Sequence, residues 1–228
     1  MKQRFKRQTL TEKKVINSIL RFYTLATIAE TNEGVQWYNE ANKYCRELAT
    51  RFNITISQVA GIIAAFSPQC GWQENKRFAL SFLINSTKVM GNEVRTSKAQ
   101  KILTLTSEAD IYNALSINNE AWKTKAFFLN ILNPDLITDV TIDRHAIAIC
   151  IQSTNSTKSL SNNYGKLTVI QYRFFEKCYA KAALQLDILP QQLQAIVWTV
   201  YRRLRELRLH NDAKGWQPFD TDGNENPF

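Results

Sequence analysis

Only seven glycines and five prolines punctuate these 228 residues. A β-sandwich of this size turns about every 8–12 residues, and its turns draw heavily on those two residue types. So sparse a supply favours long helices, and the expected fold class is all-α. Hydrophobic residues make up 44% of the chain and aromatics 11%. That is enough to close a sizeable core and is unlike the composition of disordered segments. The length suits one large domain or two small ones.

Helical periodicity and capping residues divide the chain further. Thr9-Leu10-Thr11-Glu12 has capping-box spacing, and Val15, Ile16, Ile19, Leu20, Tyr23 and Ala26 follow at helical intervals. A second helix is expected from about Val35 to Phe52, with Trp37, Tyr44, Cys45 and Leu48 on one stripe. Ser57 is expected to cap a short, very apolar helix from Gln58 to Phe66, central to the core. Ser67-Pro68-Gln69-Cys70-Gly71 breaks it, and the next helix starts near Trp72 and carries Phe78, Phe82 and Leu83. Shorter helices are expected over Ser97–Leu105, Ser107–Leu115 and Glu120–Leu132, the last stopping at Asn133-Pro134. Leu136 to Ile142 reads as extended, Asp143 opens a helix to about Ile151, and polar Ser153–Gly165 reads as a loop. Long helices follow over Leu167–Leu186 and Pro190–Leu209, and the polar stretch from Asn211 is expected to be loosely held.

The formal charge of +9 suits a polyanionic partner, either nucleic acid or an anionic membrane face. The excess gathers near the start (Lys2, Arg4, Lys6, Arg7, Lys13, Lys14) and near the end (Arg202, Arg203, Arg205, Arg208). Cys45, Cys70, Cys150 and Cys178 include no CxxC pair. That excludes a zinc knuckle or iron–sulfur loop of local spacing, and the four read as reduced, small hydrophobes. No apolar run approaches the ~20 residues of a membrane span. The basic start runs into an amphipathic segment rather than an apolar one, so no secretory signal is expected and a cytoplasmic location is favoured; a monomer is the expected state. Asn85-Ser86-Thr87 and Asn155-Ser156-Thr157 match the glycosylation pattern, by chance if the protein is not secreted.

The segment richest in chemistry is Trp122-Lys123-Thr124-Lys125-Ala126-Phe127-Phe128, then Pro134, then Val140-Thr141-Ile142-Asp143-Arg144-His145-Ala146. Two lysines sit at the start of one helix. About twenty residues later an extended apolar stretch delivers an aspartate to the start of the next. Such an aspartate can accept backbone N–H groups as a cap while turning one oxygen toward a cleft. A lysine there, partly desolvated beside another cation, becomes a better amine nucleophile.

This arrangement resembles the helix-hairpin-helix (HhH-GPD) DNA glycosylases. In that family a hairpin precedes a helix that bears a lysine in the bifunctional members, and a loop ending in apolar-Val-Asp-x-His delivers the catalytic aspartate. The resemblance implies a two-lobed helical domain over residues 1–210 with a central cleft, and a polar tail over 211–228. It implies Lys123 as nucleophile, Asp143 as the essential carboxylate and Lys125 as the alternate lysine. Val59 to Phe66 followed by Ser67-Pro68-Gln69 also resembles the family's apolar helix and its Ser/Gln turn, so Gln69 is the position that faces the gap left by a flipped base. Beside the resemblance, Trp72, Asn75, Arg144, His145, Arg202 and Arg203 are the further candidate substrate and DNA contacts. DNA is the implied partner, and no metal or organic cofactor is implied. The likeness covers about residues 55 to 205. It extends loosely to phage-encoded helical proteins that act on modified thymines, which would work in the host cytoplasm.

Two departures stand out. The family's hairpin reads Leu-Pro-Gly-Val-Gly, whose glycines let backbone N–H groups approach a phosphate. Here the run is Ile117-Asn118-Asn119-Glu120-Ala121-Trp122, without glycine. The four-cysteine cluster of some members is also missing, which excludes that cofactor but not the fold.

Each residue alone has a plainer reading. An aspartate at a helix start is most often a cap, and a Lys-x-Lys pair most often a solvated face. His145 fits equally as a satisfied structural group, and Trp72 and Trp198 as core. Arg202 and Arg203 either take phosphates or solvate the end of their helix. Two other functions stay open: a DNA-binding module without chemistry, and an enzyme acting on hypermodified thymine bases in phage DNA.

Overall fold

The computed structural model describes residues 2–4, 9–85, 93–116, 121–137, 139–152 and 167–211. The described chain is helical apart from one two-stranded ribbon, in which β1 (Lys2–Arg4) runs antiparallel to β2 (Thr9–Thr11) with Lys2 opposite Thr11. The expected cap at Thr9 is therefore corrected. Thr9 lies in a strand, and Thr11 caps α1 (Glu12–Thr24) by accepting the Lys14 N–H at 3.3 Å. Only a residue directly ahead of the first helical turn, in extended geometry, can reach its third amide.

The second helix, α2 (Ile28–Phe52), starts well before Val35. Thr27 and Glu30 form a reciprocal cap: the Thr27 N–H donates to the Glu30 carboxylate at 2.9 Å and the Glu30 N–H to the Thr27 hydroxyl at 3.2 Å. Its buried stripe is Gly34, Tyr38, Ala41, Cys45 and Leu48, and the expected stripe members Trp37 and Tyr44 are only half-buried. Thr55, not Ser57, caps α3 (Ile56–Phe66) in a capping box with Gln58, because Ser57 has turned into the core. The remaining helices are α4 (Trp72–Asn85), α5 (Glu93–Leu103), α6 (Glu108–Ala114), α7 (Trp122–Leu132), α8 (Arg144–Cys150), α9 (Val169–Leu184) and α10 (Pro190–Asn211). The glycine-free run 117–120, the polar loop 153–165, the tail beyond Asn211, Lys6, Arg7 and the hydroxyl positions of both glycosylation matches lie outside the described residues, as do the side chains of Arg4 and Arg208.

Two compact units divide the chain: Met1–Trp37 with Ile142–Phe228, and Tyr38–Thr141. In the second unit α3 is the hub, packed by α4, α5, α6 and α7, with every residue from Ser57 to Phe66 buried. Gly61 allows that approach, since a Cβ there would meet Ile111 Cγ2 at 2.6 Å and Ile102 Cγ2 at 3.1 Å. Asn42 closes the end of α7, donating from Nδ2 to the Ile131 and Leu132 carbonyls at 2.9 and 3.2 Å, two of the acceptors a helix end leaves orphaned.

In the first unit α1, α8, α9 and α10 pack around Ile19, Phe22, Phe174, Phe175, Ile196 and Val200. The start of α2 joins them by backbone contact: a Cβ on Gly34 would lie 2.5 Å from Ile196 Cα and 2.6 Å from its N. Main chain cannot move aside as a side-chain tip can. Gly34→Ala is therefore expected to cost about 1–3 kcal/mol by overpacking, read as a lower denaturant midpoint. Gly71→Ala, where nothing lies within 4 Å, should stay within about 0.5 kcal/mol.

Candidate functional site

Between α7 and α8 the chain crosses buried ground without helical hydrogen bonds, so its polar groups need side-chain partners. Asn130, buried near the end of α7, supplies two. Its Nδ2 donates to the Asp139 carbonyl at 2.6 Å, and its Oδ1 accepts from the Thr141 hydroxyl at 2.8 Å. The Ile142 N–H donates to the Tyr172 hydroxyl on α9 at 3.1 Å. Val140, Thr141 and Ile142 are buried, whereas Leu136 and Ile137 in the preceding turn are exposed. The stretch ends at Asp143, whose extended backbone leads into α8 and whose Oδ1 accepts the Ala146 N–H at 2.8 Å.

The second carboxylate oxygen has a different neighbourhood. Oδ2 lies 3.4 Å from His145 Nδ1, and that nitrogen also accepts from Trp198 Nε1 on α10 at 3.3 Å. The Tyr201 ring centre is 5.5 Å from the His145 ring centre. The Tyr179 hydroxyl, from α9, donates to the Ala146 carbonyl at 3.2 Å. The Arg202 guanidinium stands 4.7 Å over the Trp198 ring, a cation–π contact. The Asp143 and His145 side chains keep 17% and 19% of their surface exposed, which leaves them within reach of a ligand. Asp143, His145, Trp198 and Arg202 thus form one cluster, with Arg144 exposed beside it. Trp198, read as core, is half-buried and anchors the imidazole.

Arg203 has a different engagement. Its Nε donates to Glu30 Oε1 at 2.8 Å, and its Nη2 donates to Glu30 Oε2 at 3.3 Å and to the Leu25 carbonyl at 2.9 Å. Burial works against the charge on Glu30, but the hydrogen bonds from Arg203 and Thr27 outweigh it and hold the carboxyl below its ordinary range. The expected phosphate contact is here a clamp tying α10 to the α1–α2 turn.

The Tyr38–Thr141 unit carries the other candidates. Gln69 is exposed at the tip of the turn between α3 and α4, in left-handed backbone with φ 57°. Half-buried Trp72 meets Tyr44 edge-on at 6.2 Å, and Lys76 Nζ lies 5.4 and 5.5 Å from the two ring centres. Asn75 is buried, and its Oδ1 has no hydrogen-bond partner. On α7, Lys123 is half-buried. Lys125 is buried with its Nζ 4.4 Å from the Tyr112 ring centre, which corrects the reading of Lys-x-Lys as a solvated face. The two lysines and Asp143 belong to different units.

Cysteine chemistry is disfavoured on physical grounds. Burial pushes the Cys45 and Cys178 thiols up to about 12, and burial with the Glu74 carboxylate nearby pushes Cys70 to about 11. At neutral pH none of these is a thiolate nucleophile. Asn130, Tyr172 and Tyr201 are the residues that sequence reasoning missed. Asn130 leaves one trace, a lone amide inside Phe127-Phe128-Leu129-Asn130-Ile131-Leu132.

The chain belongs to a family of unknown function (DUF7178). The family match spans residues 1–205, which takes in both units and the Asp143 cluster. No curated protein and no solved structure matches the chain.

Two outcomes follow from this geometry. Gln69→Gly, which relieves a side chain in left-handed backbone, should hold or raise stability by up to about 1 kcal/mol. A drop on thermal denaturation would mean the Gln69 side chain is structurally required. Arg203→Ala should cost on the order of 1–2 kcal/mol at neutral pH. Because the Glu30 carboxyl titrates low in the folded state, its contribution is present above the ordinary carboxylate range and disappears as pH falls through the folded value. The gap between wild type and Arg203→Ala in chemical denaturation should therefore narrow on acidification, and a gap independent of pH would contradict this account.

Proposed function

We propose that this protein is a DNA glycosylase-like enzyme that cleaves the N-glycosidic bond of a damaged or modified base. The observation that carries this reading is the split use of the Asp143 carboxylate. Oδ1 is consumed by the first turn of α8, while Oδ2 stands beside His145 in a partly exposed position. A carboxylate at a helix start is stabilised as the anion and cannot drift. As the C1′–N bond breaks, the electron pair leaves with the base and the sugar becomes cationic, and a fixed anion at low dielectric stabilises that charge. Water or the amine of Lys123, with Lys125 as the alternate lysine, then attacks C1′. The base must leave the stack for any of this to happen. The +9 charge supplies the long-range attraction to a polyanion.

A second reading, a DNA-binding module without chemistry, draws on the same observation. A cap on Ala146 and a neighbour in His145 account for Asp143 structurally without any substrate. The deciding substitution is Asp143→Asn, which keeps size and capping ability and removes the charge. Folding stability should hold within about 1 kcal/mol, while release of free base, followed by mass spectrometry on DNA from several sources including modified phage DNA, should nearly vanish. Undiminished base release would end the glycosylase reading. Borohydride should trap a covalent adduct if an amine attacks, because an imine forms only from an amine. Loss of the adduct in Lys123→Ala or in Lys125→Ala then names the lysine, and base release without an adduct names water.

A further inference from the structure

The start of α7 is built against its own dipole. A helix N-terminus carries a partial positive charge and unsatisfied amides, so its first turn ordinarily holds an oxygen-bearing cap and carboxylates. In α7 the N-cap position is Ala121, which makes no side-chain bond to the helix, and the first turn contains no acidic residue. Lys123 and Lys125 stand there instead. The positive end of an 11-residue helix and two ammonium side chains thus share one end of the element.

Lys125 makes this more than a poorly capped end. Only 4% of the residue is exposed, and a lysine is almost never buried to that degree unless an anion meets it. Its Nζ lies 4.4 Å from the centre of the Tyr112 ring on α6. That contact occupies the face of the ring and leaves the ammonium N–H groups free to donate elsewhere. Among the described residues no ion pair or hydrogen bond reaches this ammonium. The Cα–Cβ bond of a helical residue tilts toward the N-terminus, so the side chain sets out toward the end that Ala121 leaves without a cap. A buried cation that lacks a counter-charge is costly, and the fold keeps one at a helix end that lacks an anion already.

We propose that the start of α7 is a binding site for one small anionic group, a phosphate monoester, held by the Lys125 ammonium and the first-turn amides, with half-buried Lys123 at its edge. The tetrahedral oxygens of a phosphate accept from backbone amides and from an ammonium at the same time. Burial decides the size of the ligand. An ammonium this enclosed admits a terminal group, whereas a grip on a nucleic-acid strand neutralises a series of phosphates with exposed cations. The monoester also carries more negative charge at neutral pH than a diester or a carboxylate. All of these residues belong to the Tyr38–Thr141 unit. The proposal goes beyond the glycosylase reading and does not depend on it.

The test titrates the full chain with inorganic phosphate and with a nucleoside 5′-monophosphate, at an ionic strength held constant with chloride. The readouts are Tm and the ³¹P line width of the ligand. Both ligands are expected to raise Tm and to show a broadened signal. Lys125→Met keeps a long unbranched side chain and removes the charge. It is expected to lose both effects and, without ligand, to melt no lower than the wild type. Ala121→Asp leaves Lys125 in place and supplies a carboxylate at the same end. It is expected to melt higher without ligand and to bind phosphate about tenfold more weakly. No phosphate effect in the wild type, or an undiminished effect in either variant, would overturn the site. Should Lys125→Met fail to fold, the Ala121→Asp result decides alone. An equal effect from a dinucleoside monophosphate, which has a diester and no terminal phosphate, would overturn the monoester in favour of a strand backbone. Base release from DNA is measured separately, so its absence would reject the glycosylase reading and leave the anion site standing.

Discussion

Five residues of chain, from Asp139 to Asp143, cross the interior without belonging to a helix. A buried amide or carbonyl left unpaired there would cost about 1–3 kcal/mol, so the stretch exists only because side chains meet it. Asn130 takes the Asp139 carbonyl and the Thr141 hydroxyl, and Tyr172 takes the Ile142 N–H. Asp143 then closes the stretch by capping α8. Asp143 is held through Oδ1, and its Oδ2 lies 3.4 Å from His145 Nδ1. Any chemistry at Asp143 would therefore be built on an anchored group.

The last helix explains why the two adjacent arginines do different things. Successive residues on a helix are about 100° apart, so Arg202 and Arg203 cannot face one surface. Trp198, Tyr201 and Arg202 fall at positions i, i+3 and i+4 and share the face that meets His145. Arg203 is rotated toward the α1–α2 turn, where Glu30 and the Leu25 carbonyl await its planar fork. The sequence run of two arginines reads as one basic patch. The fold divides it into a cation stacked beside the site and a clamp far from it in chain order.

What was legible in the sequence was local. Periodicity located the apolar helix before Ser67, the stop at Asn133-Pro134 and the helix opened by Asp143, because each depends on residues within one or two turns. Choosing between nearby caps failed at Thr9 and Ser57. Which hydroxyl reaches the third amide depends on whether the preceding backbone is ribbon or core, and nothing in a four-residue pattern carries that. The bond from Trp198 to His145 joins residues 53 apart, and that from Arg203 to Glu30 joins residues 173 apart. Apolar patterning says that a helix face is covered but not which polar atom waits opposite. Lys125 was misread for the same reason, since its aromatic partner Tyr112 lies on another helix.

The net charge has to be weighed against where its cations are engaged. Arg203 is held by Glu30, Lys181 by Glu12, Lys98 by the Leu115 carbonyl, and Lys125 and Lys76 lie against aromatic rings. A net charge of +9 favours the approach of polyanions in general, but a close grip on phosphate would need cations whose hydrogen bonds are uncommitted to the fold. On the proposed reading, such a grip next to Asp143 would face an added difficulty, because a carboxylate anion repels phosphate. Arg144 follows Asp143 in the chain, and Arg202 stands over the indole that holds His145. Both are exposed, and on the proposed glycosylase reading they would offset that repulsion while leaving the Asp143 charge for the sugar. On that reading an anion acting beside a polyanion needs flanking cations, and Arg144 and Arg202 are the exposed arginines that would supply them.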